Sequence, residues 1–172
     1  MPGRPHLSLR LHTPGRFSGR VLLVAGCLLV AGCGDDTVKV DVDAPDGDTA
    51  ACRALIADLP ATLAKKPKVA VEPTDAPAAA YGEPPIVVTC GVPVPEGFDL
   101  TASCETADGV GFYIPDEQYE DQDLDLVLTT AGYEPRVEVR IPARYRPNAG
   151  PAAMSALAPL VTEHTKLVEP CD

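Results

Sequence analysis

LDLVLTT at residues 124–130 and PRVEVRI at residues 135–141 decide the fold. In the first, Leu124, Leu126 and Leu128 alternate with other residues; in the second, Val137, Val139 and Ile141 do, which leaves Glu138 and Arg140 for water. Successive side chains of a strand point to opposite faces, so each stretch predicts a strand with one buried face. The short link at 131–134 predicts that the two form an antiparallel hairpin. A sheet with one wet face carries its helices on the other.

Upstream, residues 86–92 (IVVTCGV) are β-branched and continuous, as in a strand buried on both faces, and contain Cys90. Residues 99–104 and 110–114 predict two more strands about a turn at Ala107, Asp108 and Gly109. The acidic run 116–125 (DEQYEDQDLD) reads as a loop, and the Ala- and Pro-rich stretch 73–85 as a surface connection. Residues 50–64 (ACRALIADLPATLAK) place Cys52, Leu55, Ile56, Leu59 and Leu63 at helical spacing, with Thr49 or Asp48 as cap. Pro60 ends or kinks that helix, and Lys65, Lys66 and Lys68 fall at its C-terminus or in a loop. Downstream, Pro142 stops the hairpin strand and Pro151 opens a last helix, 151–167, with Met154, Leu157, Val161 and His164 on one stripe and Leu160 and Leu167 beside it. The expected architecture is α+β: an antiparallel sheet of four or five strands, with the helices 50–64 and 151–167 packed on one face.

Residues 22–33 write the phrase LLVAGC twice. Arg4, Arg10, Arg16 and Arg20 precede it without an acid, and residues 21–31 are apolar apart from Gly26 and Cys27. That run suits the hydrophobic part of an export signal and is too short for the about 20 residues that span a bilayer. Its end resembles a bacterial lipobox, in which a cysteine receives a diacylglyceryl group and the peptide before it is removed. Cutting before Cys27 would leave residues 21–24 as the whole apolar core, whereas Cys33 uses the full run and is followed by Gly34, Asp35 and Asp36. Cys33 is therefore the expected acceptor, and two acyl chains hold a protein stably at a membrane. The expected layout is a lipoprotein signal peptide at 1–32, a lipidated acidic tether at 33–49 and a single globular α+β domain at 50–172. Residues 34–49 (GDDTVKVDVDAPDGDT) read as a solvated spacer that reaches some 20 to 25 Å if flexible. Asp41, Asp43, Asp46 and Asp48 fail the EF-hand spacing, and Cys52 stands where its twelfth-position Glu belongs, so no metal site is expected.

Removing residues 1–32 leaves 140 of 172 residues, enough for one core, and the loss of four arginines takes the net charge from −11 to −15. Such a surface disfavours nucleic acid and anionic lipid head groups, so the fold is expected to stand off the membrane that its lipid enters. The mature cysteines other than Cys33 are Cys52, Cys90, Cys104 and Cys171. An even set in an exported chain, with no CxxC and with His164 as the one mature histidine, points to disulfides over zinc. Three pairings are open, and spacing does not choose between them. Packing the first helix on the apolar strand favours Cys52 with Cys90, which leaves Cys104 with Cys171 to fasten the tail. Both are expected to be structural, since no helix N-terminus or basic neighbour is evident to depress a thiol pKa.

The order of segments resembles a known family. Cys52-Arg53-Ala54-Leu55, then Leu59-Pro60, lead to Ala80-Tyr81-Gly82-Glu83-Pro84-Pro85 and Ile86-Val87-Val88-Thr89-Cys90-Gly91-Val92-Pro93; later come Gly109-Val110 and Val137-Glu138-Val139-Arg140-Ile141-Pro142. This is similar to the actinobacterial secreted proteins and lipoproteins grouped as domain of unknown function three-five-one-five, over roughly residues 50–171. Members often carry Trp at the positions of Tyr81 and of Phe112 or Tyr113, which stay aromatic here. The resemblance implies an envelope address and a conserved disulfide framework, and it brings no activity.

No catalytic constellation is legible. A nucleophile would be Ser103, Ser155 or a threonine and a base His164 or a carboxylate, and nothing in the sequence pairs them. His164 ends an apolar stripe, which suits a packed or helix-capping residue. The expected function is a non-enzymatic binding or scaffolding lipoprotein at the outer face of the cytoplasmic membrane. It would hold the membrane through Cys33 and bind an envelope protein or cell-wall component, with no nucleic acid, metal or cofactor. The alternatives are a cell-wall hydrolase or transferase using carboxylates, since glycoside hydrolysis needs only two, and a small solute-binding lipoprotein, for which 140 residues rarely accommodate two lobes.

Overall fold

The computed structural model describes residues 37–99 and 102–169. Its strands are β1 (Thr37–Lys39), β2 (Thr62–Leu63), β3 (Lys66–Glu72), β4 (Ala78–Tyr81), β5 (Ile86–Val92), β6 (Cys104–Ala107), β7 (Val110–Tyr113), β8 (Leu126–Thr130), β9 (Tyr133–Glu134), β10 (Arg136–Ile141) and β11 (Lys166–Leu167). Helices are α1 (Ala50–Asp58), the single turn α2 (Glu117–Glu120) and α3 (Ala149–His164). One nine-stranded sheet runs β1-β3-β4-β5-β10-β8-β7-β6 with β2 on β3, and β9 pairs separately with β11. The β1–β3 pair is parallel; the other described ladders are antiparallel.

The fold is thus α+β with α1 and α3 on one face, and its sheet has more strands than the four or five expected. The deciding hairpin forms, with Glu138 opposite Thr129 and Ile141 opposite Leu126, but its first strand starts at Leu126, and Leu124, expected on the buried face, is exposed. Leu126, Leu128, Val137, Val139 and Ile141 join Ile86, Val88 and Cys90 beneath Cys52 and Leu55 of α1 and Ala153, Leu157 and Val161 of α3 in one buried cluster. Cys52 and Cys90 form a disulfide, Cα to Cα 5.3 Å, tying helix layer to sheet. Cys104 is disulfide-bonded as well. Cys171, like Cys27, Cys33 and the stretch 1–32 expected to be a signal peptide, lies outside the described residues.

The departures have local causes. α1 ends at Asp58, not 64, because Leu59 precedes a proline and takes an extended backbone (φ −57°, ψ 135°). Its start is capped as expected, the Cys52 amide donating to Thr49 Oγ1 at 3.2 Å. Leu63 is buried from β2, and a turn with positive φ at Ala64 and Lys65 leads into β3, where Lys66 and Lys68 belong to a strand and not to a helix end or loop. β4, inside the stretch read as a surface connection, is buried throughout. Alanine favours helices in isolation, and here pairing to β3 and β5 on either side overrides it. The strand expected at 99–104 forms at Cys104–Ala107, and α2 lies within the acidic stretch read as a loop. α3 ends at His164, three residues before the expected limit, as the Thr165 hydroxyl and amide donate to the Val161 carbonyl and the chain turns into β11.

The largest correction concerns the tether. From Thr37 onward it belongs to the fold: Val38, Val40 and Val42 are half-buried while Lys39, Asp41 and Asp43 are exposed, the period of two of a strand. The Val40 amide donates to Glu72 at 3.0 Å and the Asp46 amide to Gly91 at 3.1 Å.

Candidate binding groove

β5 and β10 put alternate residues on the sheet face without helices. Val87 and Thr89 of β5 stand beside Glu138 and Arg140 of β10, with Val87 opposite Arg140 and Thr89 opposite Glu138. These four form the floor of a groove of about 460 Å³. One wall is the strap at residues 38–43 that continues β1; the other is Val92 at the end of β5 with Pro93, Val94, Pro95 and Glu96 after it. Two prolines at the rim stiffen it and withhold backbone donors. Val94 is 53 % exposed there, an apolar side chain facing water.

The groove mixes charge with apolar surface. Glu138 and Arg140, two apart on one strand and hence on one face, are ion-paired at 3.5 Å. Lys39 adds a cation, and Asp41, Asp43 and Glu96 add acids around the mouth. Among the described residues of the lining, Thr89, 4 % exposed, is the one hydroxyl, and none is an imidazole or thiol. Such a lining offers apolar contact along its walls and paired donors and acceptors along its floor. The strap that forms one wall was hidden in the acidic composition of residues 34–49, although its V-K-V-D-V-D alternation is the signal that finds it.

The residues weighed for catalysis are not gathered in the groove. His164 ends α3, and its Nε2 lies 2.9 Å from Asp58 Oδ2 at the end of α1. The approach is not along a hydrogen-bonding direction, and the contact joins two helix ends. Ser155 is on the exposed side of α3, nine residues before His164 and so about 13 Å away along the axis. Ser103 is exposed beside β6. Among the described residues no cluster of His, Cys, Asp and Glu has the arrangement of a metal site.

Three tyrosines have raised pKa values. Tyr81 is wholly buried, which pushes its phenol up to about 12, and it donates to the Pro60 carbonyl at 3.0 Å. Burial also raises Tyr113, with Asp116, Glu117 and Asp99 adding to the effect. Tyr119 rises to about 12 through desolvation and then Glu105, whose carboxylate accepts its hydroxyl at 3.3 Å.

These features define an α+β module: a mostly antiparallel sheet, helices stapled to one face by a disulfide, and a strapped groove on the other. The chain belongs to the family described as Protein of unknown function (DUF3515), whose profile matches residues 19–169. No curated protein and no solved structure is detectably similar.

Proposed function

We propose that this protein is a lipid-anchored envelope module, held at Cys33 on the outer face of the cytoplasmic membrane, that binds another envelope component in the groove between strap and rim. The observation that carries the reading is the groove itself: about 460 Å³ on the helix-free face, floored by the Glu138–Arg140 pair. Pockets that bind small molecules and chain segments combine apolar walls with a few placed polar groups, and this lining has both. The anchor is supported by the sequence pattern at residues 21–33. Cystine between helix and sheet suits an oxidising compartment.

A photo-crosslinking residue at Val94, compared with one at Val168 (50 % exposed, away from the groove), tests the binding site in intact cells. A discrete adduct from Val94 alone is expected; equal adducts from both positions, or none from Val94, would remove the groove as the site. A clickable fatty acid tests the anchor: label should depend on Cys33 and survive Cys27→Ala.

A further inference from the structure

In an acidic protein the cations are not evenly spread. Ladder register brings the start of β3, the β4–β5 turn and the end of β10 to one end of the sheet, with Lys68 opposite Tyr81, Tyr81 opposite Ile86, and Val87 opposite Arg140. Lys65, Lys66, Lys68 and Arg144 converge there. Lys66 Nζ lies 4.2 Å above the ring of Tyr145, and Arg144 donates to the Glu83 carbonyl at 2.6 Å, as does Tyr145 at 2.7 Å. Lys68 reaches the Ile56 carbonyl at 3.4 Å.

None of these four cations has a carboxylate within 4 Å among the described residues, whereas Arg53, Arg136 and Arg140 each have one. The partners of Lys66, Lys68 and Arg144 among the described residues are carbonyls and a tyrosine, which carry no opposite charge. Of the acids in the adjoining loops, Glu83 is exposed in the β4–β5 turn and Asp125 is held by the Ala143 amide at 3.0 Å.

The direction of β1 supplies the second observation. β1 runs parallel to β3, Thr37 opposite Ala70 and Lys39 opposite Glu72, so the chain enters β1 from the side of Lys66. Cys33 is four residues before Thr37, a reach of at most about 14 Å. An acyl group on Cys33 would therefore keep the start of β1 within that reach of the head groups.

We infer that the end of the sheet bearing Lys65, Lys66, Lys68 and Arg144 docks on an anionic phospholipid surface, so that the domain sits on the membrane in a fixed orientation. This rests on the anchor at Cys33 proposed above, and it reverses the expectation from net charge that the fold stands off the bilayer. Each basic residue held at an anionic surface changes association by about fivefold. The remaining acidic surface, repelled by the same lipid, favours the same orientation.

The chain contains no Trp, so a single introduced Trp reports position. Pro67→Trp, exposed between Lys66 and Lys68, marks the basic end, and Leu167→Trp marks β11. Thr62→Trp, paired across from Pro67, serves if Pro67→Trp does not fold. Purified lipoprotein is reconstituted into vesicles carrying a head-group dansyl acceptor, made of phosphatidylcholine alone or with phosphatidylglycerol. Energy transfer from the basic-end Trp is expected to exceed that from Leu167→Trp in the phosphatidylglycerol vesicles, and to fall to the phosphatidylcholine value in high salt or with Lys65→Glu and Lys68→Glu combined. Equal transfer from the two reporters, or no response to lipid charge or to the charge reversals, would overturn the docking. Mass spectrometry of the same sample reads the anchor separately. A diacylated chain without reporter asymmetry sinks the docking alone, and an unacylated chain sinks the anchor and the orientation argued from it.

Discussion

The Asp46 amide donates to the Gly91 carbonyl at 3.1 Å, and the backbone of Gly47 lies so close over Gly91 that a β-carbon at residue 91 would collide with it. Gly91 also has φ +88°, a conformation that side chains disfavour. Close approach and backbone angle together demand glycine at the point where the strap's end is seated on β5. Gly91→Ala should cost about 2 to 4 kcal/mol through the left-handed backbone and the displaced turn. Urea unfolding checks it, and an unshifted midpoint would mean that the strap is not seated there.

Cys52 and Cys90 close a loop of 38 residues' separation between α1 and β5. The double change to Ala should lower stability by about 4 kcal/mol on the loop-entropy account. Non-reducing peptide maps should join residue 52 to 90 and residue 104 to 171; a peptide linking 52 with 104 or 171 would contradict the fold.

Tyr81 sets an alkaline limit. Its folded pKa is raised by burial to about 12 from the ordinary 10.0, so the unfolded chain releases this proton first. The stability it supports is complete below pH 10 and is lost as pH rises toward 12. Tyr81→Phe should leave the Pro60 carbonyl unpaired at a cost of about 1 to 2 kcal/mol and make the alkaline transition shallower. Absorbance titration of tyrosinate against far-UV circular dichroism separates ionisation from unfolding; Tyr81 ionising near pH 10 in the folded chain would refute the assignment.

Arg140 is half exposed and paired across a partly open face, so Arg140→Glu should change stability by less than about 1 kcal/mol. The same change places two acids on the groove floor and should abolish the crosslink from Val94. An unchanged adduct in a stably folded variant would place the ligand elsewhere.

Asp58→Asn tests the contact with His164. Since Asp58 is more than half exposed, the loss should stay below about 1 kcal/mol, and any larger fall in thermal midpoint would mark the helix-end pairing as a main tie of the helical layer.

The strands at 126–130 and 136–141, the strand at 86–92, the cap at Thr49 and the helix–sheet cystine were legible because each rests on local periodicity or on one packing step. β4 was not, since Ala78, Ala79 and Ala80 have no strand preference of their own, and two flanking partners impose one. β9 and β11 were not either, because two residues carry no period. In the strap, alternation was present but acidic composition outweighed it: charge is visible residue by residue, whereas the face that Val38, Val40 and Val42 meet exists only after the sheet has formed.

The class α+β, the hairpin, the helix-bearing face and the lipobox-like pattern at Cys33 can be read from the chain alone, since each rests on contacts between near neighbours or on the spacing of apolar residues. Only the tertiary structure decided that the first strand folds onto β3, that Glu138 and Arg140 become the floor of a groove, and that Lys65, Lys66, Lys68 and Arg144 share one end of the sheet. Those relations join residues up to about a hundred positions apart, and no local propensity encodes them; they follow from strand order and register, which the whole core selects at once.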